Sequence, residues 1–237
     1  MLDRDELTAR LARAGFVAAE EEAAELIAAG GDLEAMLARR LTGEPLAWIT
    51  GTAPFCGLWI RVNPGVYVPR WQTEALAWRA VERLPADGVA IDLCTGSGAI
   101  AKVLMAHRPG ARVVASDIDS AAVACARANG VEAYQGDLFA PLPSLLADVI
   151  VGVVPYVPTP NLPLLQRDTF TFESPLAYDG GEDGLDVVRR VIDEAPAFLR
   201  DGGVLLLELG GEQAAAFPDA DVIADDEGDV RGIEIRP

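Results

Sequence analysis

The chain has 237 residues, a formal net charge of −18 and 51% hydrophobic residues. This length suits one α/β domain with a small additional region, and the apolar content is sufficient for a buried core. The negative charge argues against direct nucleic-acid binding, and no apolar stretch reaches the roughly 18–20 residues that cross a bilayer. Three widely spaced cysteines and a charged amino terminus without an apolar leader predict a cytoplasmic protein with neither disulfides nor a metal site.

The amino-terminal part of the chain predicts two small units. Apolar residues recur at helical spacing between residues 3 and 41, which predicts two or three short helices, with Asp32 as the N-cap of the last one. Residues 44–70 contain several prolines and β-rich pieces at 58–62 and 66–68, which predict a small hairpin or linker. We therefore expect a helical domain at 1–42, a hairpin or linker at 43–72 and an α/β domain at 73–237.

Helices and strands alternate from residue 73 onward. The pattern predicts helices at 73–84, 98–107, 119–129 and 184–199, and strands at 88–93, 111–116, 131–134, 147–153 and 203–209. Residues 220–237 predict two more strands that form a hairpin. Nearly continuous apolar strands are typical of a sheet covered by helices on both faces. The sequence therefore predicts a Rossmann-like α/β fold with a seven-stranded, mostly parallel sheet and an antiparallel C-terminal hairpin.

A glycine loop follows the first strand of this α/β domain. In the stretch Asp92-Leu-Cys-Thr-Gly-Ser-Gly98, Gly96 and Gly98 allow backbone angles and a close ligand approach that a β-carbon prevents. Asp117 comes at the end of the next strand, where a carboxylate can accept hydrogen bonds from ribose hydroxyls. Together the two features predict a nucleotide-type cofactor, either S-adenosylmethionine or a nicotinamide dinucleotide.

Three further features favour S-adenosylmethionine. The glycine loop follows a helical region instead of opening the chain, and Asp92 stands where it can hold the ammonium group of a methionine moiety. Asp137 and Phe139 follow the third strand, where an adenine ring and its amino group can lie. The antiparallel C-terminal hairpin also suits the sheet of a methyltransferase.

Several motifs, in order from about residue 41 to 211, resemble the HemK/PrmC family of protein-glutamine N5-methyltransferases. They are Gly43-Glu-Pro-Leu-Ala-Trp-Ile-Thr-Gly51, Val68-Pro-Arg-Trp-Gln-Thr-Glu74, the glycine loop with Asp117, Gly136-Asp-Leu-Phe139, Pro155-Tyr156 and Phe172-Glu-Ser-Pro175. The chain resembles most the actinobacterial branch of unknown substrate. The resemblance implies a class I S-adenosylmethionine-dependent N-methyltransferase whose N-terminal helices help to recognise a protein substrate.

The resemblance also implies a role for each matching residue. The cofactor site would comprise Thr73, Asp92, Cys94, Thr95, Gly96, Gly98, Asp117, Ile118, Asp137 and Leu138. Within this set, Asp92, Gly96 and Thr73 would line the methionine end. Asp117 would hold the ribose, while Asp137 and Leu138 would meet the adenine. The acceptor site would comprise Val153, Val154, Pro155 and Tyr156, and no metal is implied.

The acceptor motif departs from the family. Family members carry Asn-Pro-Pro-Tyr after the fourth strand, and this chain reads Val153-Val154-Pro155-Tyr156. In the family, the asparagine side-chain carbonyl and a backbone carbonyl accept the two N–H groups of the substrate amide. The backbone carbonyl of Val154 can still accept one of them, but Val153 has no acceptor for the other, a loss that costs about 10²–10³ in rate. Residues 212–218 are also too few for the family's full helix before the hairpin.

The sequence therefore supports three interpretations. The first is an active methyltransferase with an acceptor other than, or broader than, the release-factor glutamine, such as a small apolar molecule. The second is a glutamine N5-methyltransferase that tolerates Val153. The third is a chain that has lost this activity and serves as a binding partner, or that catalyses another reaction. The partner is accordingly a protein, with a glutamine in the second case, or a small-molecule methyl acceptor.

Overall fold

A computed structural model of the chain describes residues 2–165 and 171–236. The strands are β1 Thr52–Phe55, β2 Leu58–Arg61, β3 Val89–Leu93, β4 Arg112–Asp117, β5 Glu132–Gln135, β6 Ala147–Gly152, β7 Leu199–Glu208, β8 Asp221–Ala224 and β9 Val230–Ile235. The α-helices are α1 Arg4–Arg13, α2 Ala19–Ala29, α3 Leu33–Leu41, α4 Leu46–Thr50, α5 Glu74–Arg83, α6 Ala99–His107, α7 Ser120–Ala128, α8 Asp186–Glu194 and α9 Gly211–Ala214.

Seven strands of the described residues form one sheet in the order β5-β4-β3-β6-β7-β9-β8. The first five in this order run parallel, whereas β9 runs antiparallel to both β7 and β8. Both faces of the sheet are apolar: Val151 and Leu206 pack on one side, and Ile150 and Leu205 pack on the other. This arrangement confirms the predicted Rossmann-like class and its antiparallel C-terminal hairpin.

The strand order reverses beside β3. β4 and β5 lie on one side of this strand, and β6 and β7 lie on the other side. Helices diverge at such a reversal, which leaves a crevice at the carboxyl ends of the strands where α/β proteins bind ligands. The glycine loop after β3, Asp117 at the end of β4 and Gly152 at the end of β6 all meet at this edge of the sheet.

The N-terminal helices α1, α2 and α3 pack around their own apolar cluster, which includes Leu7, Leu26 and Leu37. The side chain of Asp32 accepts hydrogen bonds from the backbone N–H groups at the start of α3, which confirms it as an N-cap. The sequence did not predict α4, because this five-residue helix between Pro45 and a left-handed Gly51 is too short to show a period. No helix of residues 2–165 and 171–236 is long and apolar enough to cross a membrane.

The small hairpin differs from its prediction. Residues 66–68 form no strand, and β2 pairs instead with β1. The connecting residues Cys56 and Gly57 have φ angles of 47° and 74°, and two positive φ angles are what a tight two-residue hairpin turn requires. Pro54 concealed β1 in the sequence, because proline usually interrupts strands, but a strand at an edge tolerates it.

The helix predicted at 184–199 is also shorter than expected. α8 ends at Glu194, Pro196 lies in a 3-10 turn, and β7 already begins at Leu199. Proline lacks the N–H group that would continue the helix, and its ring clashes with the preceding turn. The start of β7 is likewise four residues earlier than the predicted 203, and the remaining predicted boundaries of the α/β domain lie within two residues of the observed ones. The four-residue α9 agrees with the short connection expected before the C-terminal hairpin.

Candidate active site

A cavity of about 370 Å³ opens at the carboxyl ends of β3, β4 and β6. Its volume falls within the range of roughly 300–1,000 Å³ that is typical of small-molecule sites. Its wall brings together nine of the predicted cofactor residues, namely Thr73, Asp92, Cys94, Thr95, Gly96, Asp117, Ile118, Asp137 and Leu138. Two of the predicted acceptor residues, Val153 and Pro155, line the same cavity.

Gly98, Val154 and Tyr156 do not contribute to the cavity wall. Gly98 has a φ angle of 81°, and a β-carbon there would lie 3.1 Å from the Cα atom of Ala126, so the glycine permits α7 to pack against the loop. The Val154 side chain is buried in the apolar core beneath α8. Tyr156 points into the protein, where its hydroxyl donates a hydrogen bond to Glu208. These three residues therefore pack behind the cavity wall and do not face the cavity.

The carboxylate of Asp92 is buried at the base of the glycine loop. Its Oδ2 accepts hydrogen bonds from Thr95 Oγ1 at 2.6 Å and from the Ala101 backbone nitrogen at 3.2 Å, so it joins β3 to the start of α6. Both hydrogen bonds end on Oδ2, so Oδ1 is the oxygen that can meet a ligand. Burial raises the pKa of Asp92 to about 7, against the opposing effect of the two hydrogen bonds.

Asp117 holds the other side of the glycine loop. Its two carboxylate oxygens accept hydrogen bonds from the backbone nitrogens of Gly96 at 2.8 Å and of Asp119 at 2.9 Å. Burial raises the pKa of Asp117, and these backbone hydrogen bonds oppose the shift. A carboxylate offers about four acceptor positions, so Asp117 can also accept hydrogen bonds from ribose hydroxyls. These two hydrogen bonds therefore help to define the shape of the loop.

Arg190 of α8 also lines the cavity, and sequence reasoning missed it. Its Nη2 atom lies 2.7 Å from Asp137 Oδ2, and both side chains are about half exposed. Exposed ion pairs of this kind contribute about 0–1 kcal/mol to stability, so the pair matters more for the site than for the fold. The predicted contact of Asp137 with adenine would be shared with Arg190. No local sequence signal connects the two residues, because they lie far apart along the chain.

Buried polar atoms without a hydrogen-bond partner also occur at the cavity. Among the described residues, the buried side-chain atoms without a hydrogen bond are Thr73 Oγ1, Ser116 Oγ and Glu208 Oε2. Thr73 and Ser116 line the cavity. Leaving a buried polar group unpaired costs about 1–3 kcal/mol, so such atoms point to a ligand that completes them. The wall thus fits a polar ligand with several donors and acceptors, as S-adenosylmethionine is.

Backbone strain occurs at the same place. Cys94 and Leu138, both on the cavity wall, have φ angles of 53° and 46°. Such angles are uncommon for residues with a β-carbon, and strained residues concentrate at functional sites. The predicted positions around the glycine loop and after β5 therefore lie close together and also include residues with unusual backbone angles.

The region behind the acceptor residues is unexpectedly polar. Glu208, at the end of β7, is 4% exposed, and its Oε1 accepts a hydrogen bond from the Tyr156 hydroxyl at 2.7 Å. Tyr67 lines the cavity nearby, and its ring lies 5.6 Å from that of Tyr178. Sequence reasoning missed Glu208, although an acid at the end of an apolar strand was the same signal that singled out Asp92.

Sequence relatives agree with this geometry. Residues 60–152 match the family described as Methyltransferase small domain. The release factor glutamine methyltransferase of Moorella thermoacetica is 42% identical over 92% of this chain and 77% of that protein. The one of Geobacter sulfurreducens is 40% identical over 76% of this chain, which spans 65% of that relative's length. The chain belongs to the HemK/PrmC family.

Family and fold together make this chain an S-adenosylmethionine-dependent methyltransferase, which confirms the cofactor predicted from the glycine loop. Another relative is the 4-amino-L-phenylalanine/4-methylamino-L-phenylalanine methyltransferase of Streptomyces pristinaespiralis, 36% identical over 90% of this chain and 84% of that protein. Among solved structures, a methyltransferase from Pyrococcus furiosus superposes with a TM-score of 0.54 at 19% identity, over 83% of this chain and 94% of that one. At that identity the likeness shows the fold alone.

Proposed function

We propose that the chain methylates the nitrogen of an acceptor other than the release-factor glutamine. The observation that carries this proposal is Val153, which lines the cavity at the position of the family's asparagine. An amide nitrogen is a poor nucleophile because its lone pair is delocalised into the carbonyl group. Both of its N–H groups must therefore be held to direct the lone pair, and the valine side chain cannot hold one.

The chemistry of the cavity relies on positioning. Bound S-adenosylmethionine supplies a methyl group on a positively charged sulfur. The Asp92 and Asp117 hydrogen bonds fix the loop against which this molecule would lie, and no protein nucleophile is needed for in-line transfer. Val153 and Pro155 make the acceptor end of the cavity apolar, which favours a substrate that does not depend on a polar clamp.

A small aromatic amine fits these requirements. Its nitrogen keeps an available lone pair at neutral pH, so the nucleophile does not require the missing asparagine. The ring would meet apolar and aromatic wall residues such as Tyr67, Val153 and Leu176. The Streptomyces pristinaespiralis relative acts, by its name, on an amine of this class, which supports the choice.

Two labelled-methyl assays test the proposal. One uses 4-amino-L-phenylalanine as acceptor, and the other uses a release-factor peptide that contains Gly-Gly-Gln. We expect transfer to the amine, with turnover of the peptide about 10²-fold slower or worse. Efficient methylation of the peptide glutamine would contradict the proposal in favour of the second interpretation. Tight binding of S-adenosylhomocysteine in calorimetry without transfer to either acceptor would favour a chain that has lost this activity.

The variant Val153→Asn restores the family's acceptor group. We expect peptide glutamine methylation to rise about 10²–10³-fold, because the new side-chain carbonyl can accept the second N–H group. The matched control is Val153→Ala, which changes the volume of the pocket without adding an acceptor and gives no such gain. Equal gains in both variants would show that pocket volume, and not hydrogen bonding, decides the acceptor.

A further inference from the structure

A buried carboxyl group lies directly beside the altered acceptor position. Gly152 of β6 pairs in parallel register with Leu207 of β7, so the next residues on these strands, Val153 and Glu208, are neighbours. Side chains alternate along a strand, which turns both residues to the face that carries Val151 and Leu206. The chain thus places an acid next to the position where it lacks the family's amide.

Glu208 keeps one oxygen unused. Its Oε1 accepts the hydrogen bond from Tyr156, whereas Oε2 is buried and has no partner in the described residues. Thr73 is 3% exposed, lines the cavity, and also has a hydroxyl without a partner. A hydroxyl donates one hydrogen bond and accepts others, so Thr73 can donate to Glu208 Oε2 and still accept an N–H group from the cavity. A hydrogen bond from Thr73 to Glu208 would pair both atoms, and the Thr73 hydroxyl would keep an acceptor position for a ligand nitrogen.

We propose that Thr73 and Glu208 form an amine subsite, in which the Thr73 hydroxyl accepts an N–H group of a weakly basic aromatic amine and Glu208 receives its proton. This inference rests on the proposed function. As the nitrogen lone pair forms the bond to the methyl carbon, the methyl–sulfur bond breaks and its electron pair goes to sulfur. The cationic nitrogen then loses one proton through the Thr73 hydroxyl to Glu208 Oε2, which leaves a neutral methylamine and a protonated carboxyl group.

The surroundings of Glu208 suit this role. Burial raises its pKa, while the hydroxyls of Thr73 and Tyr156 and the charge of Arg231 on β9 oppose the shift. A carboxylate with a raised pKa accepts a proton more readily than an exposed one. The other titratable group beside it is Tyr67, whose own pKa is raised by burial and by the charge of Glu208. Tyr67 therefore stays protonated at neutral pH and does not compete as a base.

Three variants test the subsite with 4-amino-L-phenylalanine as the probe. Thr73→Val keeps the shape and removes the hydroxyl, Thr73→Ser keeps the hydroxyl, and Glu208→Gln keeps the shape and removes the charge. We expect kcat to fall about 10²-fold or more in the valine and glutamine variants and to be largely rescued in the serine variant. The subsite assigns the Thr73 hydroxyl to the methyl acceptor and not to the methionine end that the family resemblance implies. We therefore expect affinity for S-adenosylhomocysteine, measured by calorimetry, to stay within about two-fold of the wild type in all three variants.

The pH profile separates Glu208 as proton acceptor from Glu208 as a purely structural residue. Wild-type kcat falls at low pH as Glu208 becomes protonated, and Glu208→Gln lacks this acidic limb. The matched control is Glu234→Gln, which removes another buried carboxylate of the same sheet that instead contacts Arg83 at 3.0 Å. This control lowers stability but leaves the kinetics with the amine unchanged.

Two results would overturn the subsite. One is a Thr73→Val variant that loses affinity for S-adenosylhomocysteine, since Thr73 would then hold the methionine end of the cofactor. The other is a Glu208→Gln variant with the wild-type pH profile. Calorimetry of the amine on protein loaded with S-adenosylhomocysteine separates these failures from failure of the proposed function. Binding that is present in the wild type and lost in Thr73→Val supports the subsite even without turnover, whereas unchanged binding contradicts it.

Discussion

Asp92 connects β3 to the glycine loop through its own side chain. The sequence placed this acid correctly at the end of the first parallel strand and predicted a contact with the methionine ammonium. The structure shows that one of its oxygens already accepts hydrogen bonds from Thr95 and Ala101, which leaves the other for that contact. The residue is 1% exposed, so its protonation state is coupled to folding.

The variant Asp92→Asn tests this coupling. The pKa of Asp92 in the folded chain is raised to about 7, above its usual value of about 3.9, so folding favours the protonated form. The stability that this group contributes is therefore present below the unfolded pKa and is lost as pH rises through about 7. We expect the free energy of unfolding of the wild type, relative to Asp92→Asn, to fall between about pH 4 and pH 8.

Urea unfolding of both proteins without cofactor at several pH values measures this difference. Titrating groups that do not interact with Asp92 are common to the two proteins and cancel in the comparison. Parallel pH curves for the wild type and the variant would contradict the raised pKa of Asp92.

At the scale of elements, Asn129 joins the small hairpin to the glycine loop. It follows α7, and its Oδ1 accepts hydrogen bonds from the Arg61 backbone nitrogen and Lys102 Nζ. Its Nδ2 donates to the backbone oxygens of Arg61 and Ser97, both at 2.8 Å. One amide side chain thus links β2, α6 and the glycine loop. The sequence offered no sign of this role, because Asn129 resembles an ordinary residue after a helix.

We expect Asn129→Ala to lower the free energy of unfolding by about 1–3 kcal/mol, because the Arg61 backbone nitrogen and the Ser97 carbonyl lose their side-chain partner. Affinity for S-adenosylhomocysteine falls as well, since the loop loses one support. Urea unfolding and calorimetry measure the two effects, and hydrogen exchange in β1 and β2 locates them. The control is Asn161→Ala, an exposed asparagine, which leaves both quantities near the wild type. An Asn129→Ala protein as stable as this control would contradict the role.

The net negative charge affects the stability of the whole molecule. The chain carries 37 acidic residues against 19 lysines and arginines. Some acidic side chains form ion pairs, such as Glu22 with Arg40 at 2.6 Å, but a large surplus of negative charge remains. Self-repulsion of this kind opposes the compact state and is screened by salt.

We expect the Tm to rise by a few degrees as sodium chloride increases from about 0.01 M to about 0.5 M, because the screening length shortens from about 30 Å to well under 10 Å. Thermal unfolding followed by circular dichroism measures this rise. A neutral solute at the same osmolality serves as the control and gives a smaller change. A Tm that falls with salt would show that individual ion pairs outweigh the overall repulsion.

The sequence by itself determined the fold class and the location of the cofactor loop. Hydrophobic periods, turn residues and the chemistry of Gly96, Asp117 and Asp137 are local properties, so they can be recognised without coordinates. The departure at Val153 is equally local, because it is a change of residue type within a short motif. Most of the site residues that these signals predicted line one cavity in the structure.

Only the tertiary structure decided which side chains meet. The pairing of β1 with β2, the contact of Arg190 with Asp137 and the position of Glu208 beside Val153 all join residues that are not local neighbours. Such contacts depend on strand register and helix packing, which no local period encodes. For the same reason, the sequence could not tell that Tyr156 faces Glu208 inside the protein, whereas Val153 faces the cavity.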